Sequence, residues 1–270
     1  WKCGPALAAG NAVVLKPSEL TPFSTVRMAE LAVQAGLPAG VLNIVQGSGA
    51  VTGHALVTHS LVRKVSFTGS TLTGARIMSD VAQHGMKPVT LELGGKSPQL
   101  VFDDAGEIEV LAQRILRGFT ANGGQACVAG TRLIVQRAIA APLLDRLATL
   151  CSSVRPGVTW RDDSRYAPLI DERQGNKVAS VITAAKAQGA EVLVGGERFA
   201  DTDEGWFWQP TLLCGVAQDN PAVQQEIFGP VLTVQTFDDE EEGLQLAAHE
   251  IYGLCAGVHT LSLPRAMRAI

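Results

Sequence analysis

The chain has 270 residues, of which 46% are apolar and 18% charged, and its formal net charge is −4. This length suits one large domain or two ordinary ones, with a substantial buried core. The acidic balance and the absence of a basic cluster exclude nucleic acid as a predicted partner. No apolar run is long enough to cross a bilayer, so we expect no membrane span.

The five cysteines are widely spaced and form no C-x-x-C pair; they are Cys3, Cys127, Cys151, Cys214 and Cys255. An odd count at such spacing disfavours a disulfide framework and a zinc site. The five histidines show no metal-ligand pattern either. We therefore predict no metal site, a reducing compartment such as the cytoplasm, and one reactive cysteine among buried apolar ones.

The first third of the chain alternates short apolar runs, typical of buried strands, with patterns of helical periodicity. It opens within a helical pattern. Strands are then predicted at 11–16, 41–45, 64–67 and 89–93, and helices at 25–35, 55–60 and 72–83. This alternation predicts right-handed crossovers in a parallel sheet.

Gly94 and Gly95 interrupt the pattern, and because paired glycines permit a sharp change of direction, we place a domain boundary after residue 93. The same alternation then resumes up to residue 270. Strands are predicted at 98–102, 132–136, 191–194, 231–237 and 256–259, and helices at 108–119, 141–154 and 172–188. The C-terminal segment has no helix stop signal, so the chain reads as a fragment of a longer protein.

The strongest candidate for chemistry is the segment Asn-Gly-Gly-Gln-Ala-Cys at 122–127, which follows an amphipathic helix. Its glycines let the backbone approach a ligand closely, and a main-chain N–H near Cys127 would stabilise an oxyanion. Composition alone favours a simpler interpretation, in which Cys127 is a buried cysteine in a tight loop.

The segment resembles the N-x-G-Q-x-C signature of the aldehyde dehydrogenase superfamily. Four further segments resemble family motifs in the family's order: Leu-Lys-Pro-Ser-Glu at 15–19, Phe-Thr-Gly-Ser-Thr-Leu-Thr-Gly at 67–74, Val-Thr-Leu-Glu-Leu-Gly-Gly-Lys-Ser-Pro at 89–98 and Glu-Ile-Phe-Gly-Pro at 226–230. One such match is weak evidence, but five in register are specific, and the similarity extends over 1–270.

The resemblance implies an α/β protein with a Rossmann-like cofactor domain over 1–93, lacking its N-terminal part, and an α/β catalytic domain over 94–270, lacking its C-terminal part. It implies that Cys127 attacks the aldehyde carbonyl through a thiohemiacetal and a thioester. Glu92 becomes the general base that hydrolyses the thioester, and its apolar neighbours are consistent with a partly desolvated carboxylate. Lys2 matches a lysine linked to proton relay.

The resemblance also assigns residues to the cofactor. They are Lys16 and Glu19 at the adenosine ribose, Gly69, Ser70 and Gly74 at the pyrophosphate, Leu93 beside Glu92, and Glu226 and Phe228 at the nicotinamide ribose and ring. A carboxylate such as Glu19 accepts a hydrogen bond from a 2′-hydroxyl and repels a 2′-phosphate, which favours NAD over NADP. Without the resemblance, most of these would read as solvated charges or ordinary turn residues.

The function predicted is oxidation of a small-molecule aldehyde to a carboxylic acid with NAD, or with NADP, by a protein that forms homodimers or homotetramers. The stretch Lys96-Ser97-Pro98 resembles a broad group that takes aliphatic, aromatic and amino-aldehydes. Two alternatives stay open. One is an esterase or a coenzyme A-acylating enzyme, against which Glu92 argues. The other is a catalytically silent scaffold or binding protein, against which the intact Cys127 and Glu92 argue.

Overall fold

The computed structural model describes residues 1–199 and 205–269. Its α-helices are α1 (Cys3–Ala8), α2 (Phe23–Gln34), α3 (His54–Thr58), α4 (Thr71–Gln83), α5 (Ile108–Thr120), α6 (Arg137–Ser153), α7 (Glu172–Ala187), α8 (Pro221–Gln224), α9 (Glu240–Ala247) and α10 (Leu263–Arg268). Its strands are β1 (Val13–Leu15), β2 (Leu42–Ile44), β3 (Val65–Thr68), β4 (Val89–Glu92), β5 (Pro98–Val101), β6 (Arg132–Gln136), β7 (Glu191–Val194), β8 (Thr211–Cys214), β9 (Val231–Phe237) and β10 (Gly257–His259).

The chain divides into two compact units, Trp1–Leu93 and Gly94–Ile270, the second described apart from residues 200–204 and 270. In the first unit β1 pairs with β2 and β3 with β4, both in parallel. Each pair is one strand–helix–strand unit, with α2 or α4 as the crossover. Because these strands are three or four residues long, each pair contributes only a short hydrogen-bond ladder.

The second unit is built on a six-stranded sheet in the order β10-β5-β6-β9-β8-β7. The first five strands are parallel neighbours, and β7 runs antiparallel to β8 at the edge. A strand's side chains alternate between its two faces. In β6, Leu133 and Val135 accordingly pack with α5 and α6, whereas Ile134 packs with α9 on the other face. Helix α7 covers the opposite side of β8 and β9 from α5 and α6.

The predicted α/β class is confirmed, and most predicted elements lie within a few residues of the observed ones. Three expectations were wrong in detail. The strands of the first unit form two separate pairs instead of one sheet, and the sheet of the second unit carries an antiparallel edge strand. Helix α6 begins at Arg137, not at 141, and Pro142 lies inside it, although proline favours the first turn of a helix.

Strand β8 and helices α8 and α9 were not predicted from the sequence. Helix α9 begins with three glutamates and contains Gly243, so its apolar periodicity is weak. Its start is nevertheless well defined, because Asp239 accepts a hydrogen bond from the main-chain N–H of Glu242. The helix predicted at 55–60 is also displaced: a π-helical turn capped by Ser48 covers Gly49–Gly53 and leads directly into α3.

Candidate active site

In the second unit, three candidate loops enter neighbouring strands from the same side. Residues 94–97 lead into β5, 121–131 into β6 and 226–230 into β9. Because β5, β6 and β9 are adjacent and parallel, their amino ends meet at one edge of the sheet. This topology brings Cys127, Glu226 and Phe228 to one side of the unit.

The cysteine loop begins with an unusual backbone. After α5, Asn122, Gly123 and Gly124 follow one another with φ of 54°, 64° and 72°, all in the left-handed region. Asparagine and glycine are the residues that adopt this region at least cost. The turn reverses the chain between α5 and β6, and Cys127 lies just beyond it, partly buried.

Two glycines allow main chain to pack directly against this loop. A side chain at Gly95 would overlap the carbonyl oxygen of Cys127, and one at Gly124 would overlap the carbonyl of Gly229. The loop is therefore fitted between the segment that enters β5 and the segment that enters β9. Neither position has room for a larger residue without moving the backbone around Cys127.

Glu226 is tied to the same glycine segment. Its Oε1 accepts a hydrogen bond from the N–H of Gly95 at 3.0 Å. Two residues later, Phe228 adopts φ of 60°, and Gln174 of α7 donates to the carbonyls of Ile227 and Phe228 at 2.9 and 2.8 Å. Glu226 and Cys127 thus both border Gly95, and the turn carrying Phe228 is held by α7.

A lysine and a tyrosine interact electrostatically with Glu226, and sequence reasoning missed both as candidates. Burial lowers the pKa of Lys177, and the charge of Glu226 opposes that shift. Burial also raises the pKa of Tyr252, with a further contribution from Glu226. The i, i+3 spacing of Gln174 and Lys177 on α7 is the sequence signal that would have placed both on one helix face.

Lys96 is buried directly after this glycine pair, with 2% of its surface exposed. Its Nζ donates to the carbonyl of Ala222 at 2.7 Å. Burial, together with the charge of Arg132, lowers the pKa of Lys96 to about 7, and the charge of Glu226 opposes the shift. Arg132 is itself buried and donates to the carbonyls of Lys96, Leu246 and Ala247.

In the first unit the candidates lie at the carboxyl ends of the strands. Lys16 follows β1, Gly69 and Ser70 follow β3, and Glu92 is the last residue of β4. The Nζ of Lys16 donates to the carbonyls of Pro17 and Gly47 at 2.7 and 3.0 Å. It also lies 3.5 Å from the Oε2 of Glu19, so the structure brings these two candidates together.

The turn after β3 is organised around the start of α4. Ser70 caps the helix by accepting a hydrogen bond from the N–H of Thr73, and the N–H of Gly69 donates to the carbonyl of Glu92 at 3.0 Å. Gly74 is buried against the side chain of Leu93. Lys2 lies apart from these candidates in the chain, immediately before α1.

A cleft of about 660 Å³ opens in the first unit beside Glu19. Its lining combines the apolar residues of the α2 region with charged and polar ones: Pro22, Phe23, Val26, Arg27 and Glu30, and Gln46 and Gly47 after β2. This volume falls within the range of small-molecule sites, and an apolar wall beside a carboxylate suits a ring attached to a sugar.

No group of three or more His, Cys, Asp or Glu residues in 1–199 and 205–269 is arranged to hold a metal ion. No helix in the same ranges is long and apolar enough to cross a membrane.

These features define a two-unit α/β protein with a cysteine loop at the amino edge of a parallel sheet. The chain belongs to the aldehyde dehydrogenase family, whose sequence profile matches residues 1–270. The resemblance drawn from the five motifs is thereby confirmed.

Among curated proteins, the chain is 44% identical to betaine aldehyde dehydrogenase of Cereibacter sphaeroides over 270 residues, which cover 100% of this chain and 55% of that protein. It is 42% identical to an aldehyde dehydrogenase of Emericella nidulans over 268 residues, covering 99% and 53%. The chain therefore spans about half the length of the curated relatives it matches.

Solved structures support the same family assignment. An indole-3-acetaldehyde dehydrogenase in complex with NAD⁺ superposes with a TM-score of 0.96 at 41% identity, covering 100% of this chain and 54% of that one. Betaine aldehyde dehydrogenase from Staphylococcus aureus, also in complex with NAD⁺, superposes with a TM-score of 0.95 at 38% identity, covering 100% and 53%.

Proposed function

We propose that the protein carrying this chain oxidises an aldehyde to a carboxylic acid, with NAD as the hydride acceptor and Cys127 as the nucleophile. The observation that carries the proposal is the geometry of the Cys127 loop. Its left-handed turn and its close packing against Gly95 and Gly229 fix a cysteine at the edge where Glu226 is also held. The relatives named above, two of them bound to NAD⁺, supply the reaction class.

In this mechanism the sulfur of Cys127 adds to the aldehyde carbonyl carbon, and the thiol proton is lost to a base or solvent. The carbonyl oxygen becomes the oxyanion of a thiohemiacetal. Collapse of this oxyanion expels the hydride from carbon and leaves a thioester on Cys127. When bound, the nicotinamide of NAD supplies the site that accepts the hydride.

Glu92 takes the role of general base in the second half of the reaction. Its carboxylate removes a proton from water, which attacks the thioester carbon and releases the acid and the Cys127 thiolate. The carboxylate is partly buried at the end of β4, consistent with that role. Lys2 is assigned to the transfer of that proton to solvent.

The residues of the first unit fit the adenosine end of NAD. The cleft beside Glu19 has the size and apolar lining for the adenosine, with Lys16 and Glu19 at the ribose hydroxyls. Gly69 and Ser70 precede α4 and Gly74 lies in its first turn, and the N-terminus of a helix favours a pyrophosphate. The carboxylate of Glu19 favours NAD, because it would repel the 2′-phosphate of NADP.

The residues of the second unit fit the nicotinamide end. The second carboxylate oxygen of Glu226 is available for a ribose hydroxyl once Oε1 has accepted from Gly95. The Phe228 ring is only partly buried and would pack beside the nicotinamide. Leu93, the last residue of the first unit, completes the cofactor-binding set.

The decisive experiment compares the whole protein with its Cys127→Ala variant, without coenzyme A, by following reduced nicotinamide and free acid. The aldehyde panel includes a quaternary ammonium aldehyde and an aryl acetaldehyde. We expect activity in the parent and none in Cys127→Ala, whereas Cys255→Ala, at an exposed cysteine, keeps activity. Turnover that persists in Cys127→Ala would contradict the assignment, and a parent inactive with every aldehyde would favour the silent scaffold.

A second variant separates the two half-reactions. Glu92→Gln should give one equivalent of reduced nicotinamide per active site and then stall, because the thioester forms but is not hydrolysed. Formation of acyl-coenzyme A in place of free acid when coenzyme A is added to the parent would instead favour the acylating alternative.

The cofactor preference, the oligomeric state and the location in the cell belong to the same proposal. We expect lower KM for NAD than for NADP, with Glu19→Gln narrowing the difference. We also expect a homodimer or homotetramer by light scattering and a cytoplasmic location, where five unpaired thiols are stable.

A further inference from the structure

Gln125 lies two residues before Cys127, and both polar atoms of its side chain are engaged. Its Nε2 donates to the carbonyl of Asn122 at 3.0 Å and to that of Pro168 at 3.2 Å. Its Oε1 accepts from the main-chain N–H of Ile170 at 2.8 Å. One side chain therefore connects the cysteine loop to a segment more than forty residues further along the chain.

The segment that receives Gln125 is itself anchored in the core of the second unit. The hydroxyl of Tyr166 donates to the carbonyl of Trp208 at 2.5 Å, and the N–H of Leu169 donates to the carbonyl of Trp206 at 2.9 Å. Tyr166 and Leu169 are 6% and 3% exposed. Gln125 thus connects the cysteine loop to a segment that is held by buried side chains and hydrogen bonds.

The loop needs such a connection because its backbone is intrinsically free to adopt other conformations. Glycine populates the left-handed region and the ordinary regions about equally, so the conformation of Gly123 and Gly124 is defined only where the surroundings hold it. Asn122 and Gln125 close the turn reciprocally, since the Nδ2 of Asn122 also donates to the carbonyl of Gln125 at 3.0 Å. On the other side of the loop, the contact of Gly124 with Gly229 limits its movement.

We propose that Gln125 is a positioning residue that fixes the direction of the Cys127 thiol by holding Asn122–Gly124 to the anchored segment 166–170. The proposal rests on the function proposed above for Cys127. Gln125 touches neither the substrate nor the cofactor in this account, so its removal should slow the step in which the sulfur attacks and leave cofactor binding unchanged.

The test uses Gln125→Met and Gln125→Glu in the whole protein. Methionine has a similar length and makes no hydrogen bonds, whereas glutamate keeps the acceptor for Ile170 but places an oxygen against the carbonyls of Asn122 and Pro168. Gln113→Met is the matched control, because Gln113 is exposed on α5 and bonds only locally to Glu109. Rates are normalised to the Cys127 thiols titrated by a substrate-protectable alkylating agent.

We expect the single-turnover rate of nicotinamide reduction to fall at least tenfold in both Gln125 variants, since misplacing a reacting group by about 1 Å costs on the order of 100-fold. NAD affinity, measured by fluorescence quenching, should stay within about twofold, and Gln113→Met should match the parent.

Three outcomes would overturn the proposal: a fall smaller than tenfold in either variant, a parallel loss of NAD affinity, or failure of both variants to fold, which would make Gln125 a purely structural residue. Cys127→Ala is assayed alongside. If it remains active, the proposed nucleophile is wrong, whereas an inactive Cys127→Ala with fully active Gln125 variants refutes only the positioning role.

Discussion

The two units use parallel strands in opposite ways. In the first, the candidate residues Lys16, Ser70 and Glu92 lie at the carboxyl ends of strands, the usual place for a ligand in an open α/β sheet. In the second, the loops of Cys127 and Glu226 lie at the amino ends. The same alternation of strands and helices therefore does not determine at which edge of a sheet the candidate residues lie; the loop sequences do.

The units also differ in how much apolar surface they bury. The second contains three clusters of buried apolar residues on both faces of its sheet. In the first, the buried residues are Val57, Gly74 and Val81. Thirteen of the twenty-three large apolar side chains exposed in the described part of the chain belong to this smaller unit. We infer that the second unit supplies most of the stability of this chain.

The largest expected effect tests that inference with two phenylalanines. Phe119 of α5 is 0% exposed, whereas Phe23 of α2 is 85% exposed. Phe119→Ala should lower the free energy of unfolding by about 3–5 kcal/mol, because it leaves a cavity in the core, and Phe23→Ala should change it by less than about 0.5 kcal/mol. Urea denaturation of both variants measures the difference. Equal losses of unfolding free energy would contradict the inference that the second unit supplies most of the stability.

An intermediate effect concerns the buried ammonium of Lys96. Below pH 7 both the folded and unfolded states hold its proton; between about pH 7 and its ordinary pKa of 10.5, only the unfolded state does. Unfolding then takes up a proton, so stability rises with pH over this window, by at most about 1.4 kcal/mol per pH unit.

Lys96→Met should flatten that rise between pH 7 and 9, as measured by urea denaturation at several pH values. Lys87→Met is the matched variant in the first unit, where Lys87 donates to the carbonyls of Val57 and His59. It should keep the slope of the parent. A slope that survives Lys96→Met would show that another group causes it.

The smallest effect compares two helix caps. Asp171 caps α7 in the second unit by accepting from Gln174, and Ser70 caps α4 in the first by accepting from Thr73. Each substitution to alanine should cost about 1 kcal/mol of helix stability. Asp171→Ala should lower the global free energy of unfolding, whereas Ser70→Ala should mainly speed hydrogen exchange within α4. The reverse pattern would indicate that the second unit is the less stable of the two.

The sequence predicted the fold class and most strands, because short runs such as 132–136 are apolar and bounded by turn residues. It also located the Cys127 loop, through the resemblance of segment 122–127 to a family signature. It did not predict the edge strand β7 as antiparallel or the pairing of strands within the first unit, because pairing partners leave no local signal. Gln174 and Lys177 were missed for the same reason: their proximity to the 226–230 turn depends on tertiary packing.

The buried side chains of Arg132 and Lys96 affect how the second unit responds to changes in ionic strength. Arg132 donates to main-chain carbonyls at the end of α9, and Lys96 donates to the carbonyl of Ala222. Dipoles of the backbone, including the negative end of a helix, thus provide the hydrogen-bond acceptors for both cations. Dissolved ions screen exposed charges effectively and buried ones much less. The centre of the second unit should therefore tolerate wide changes in ionic strength.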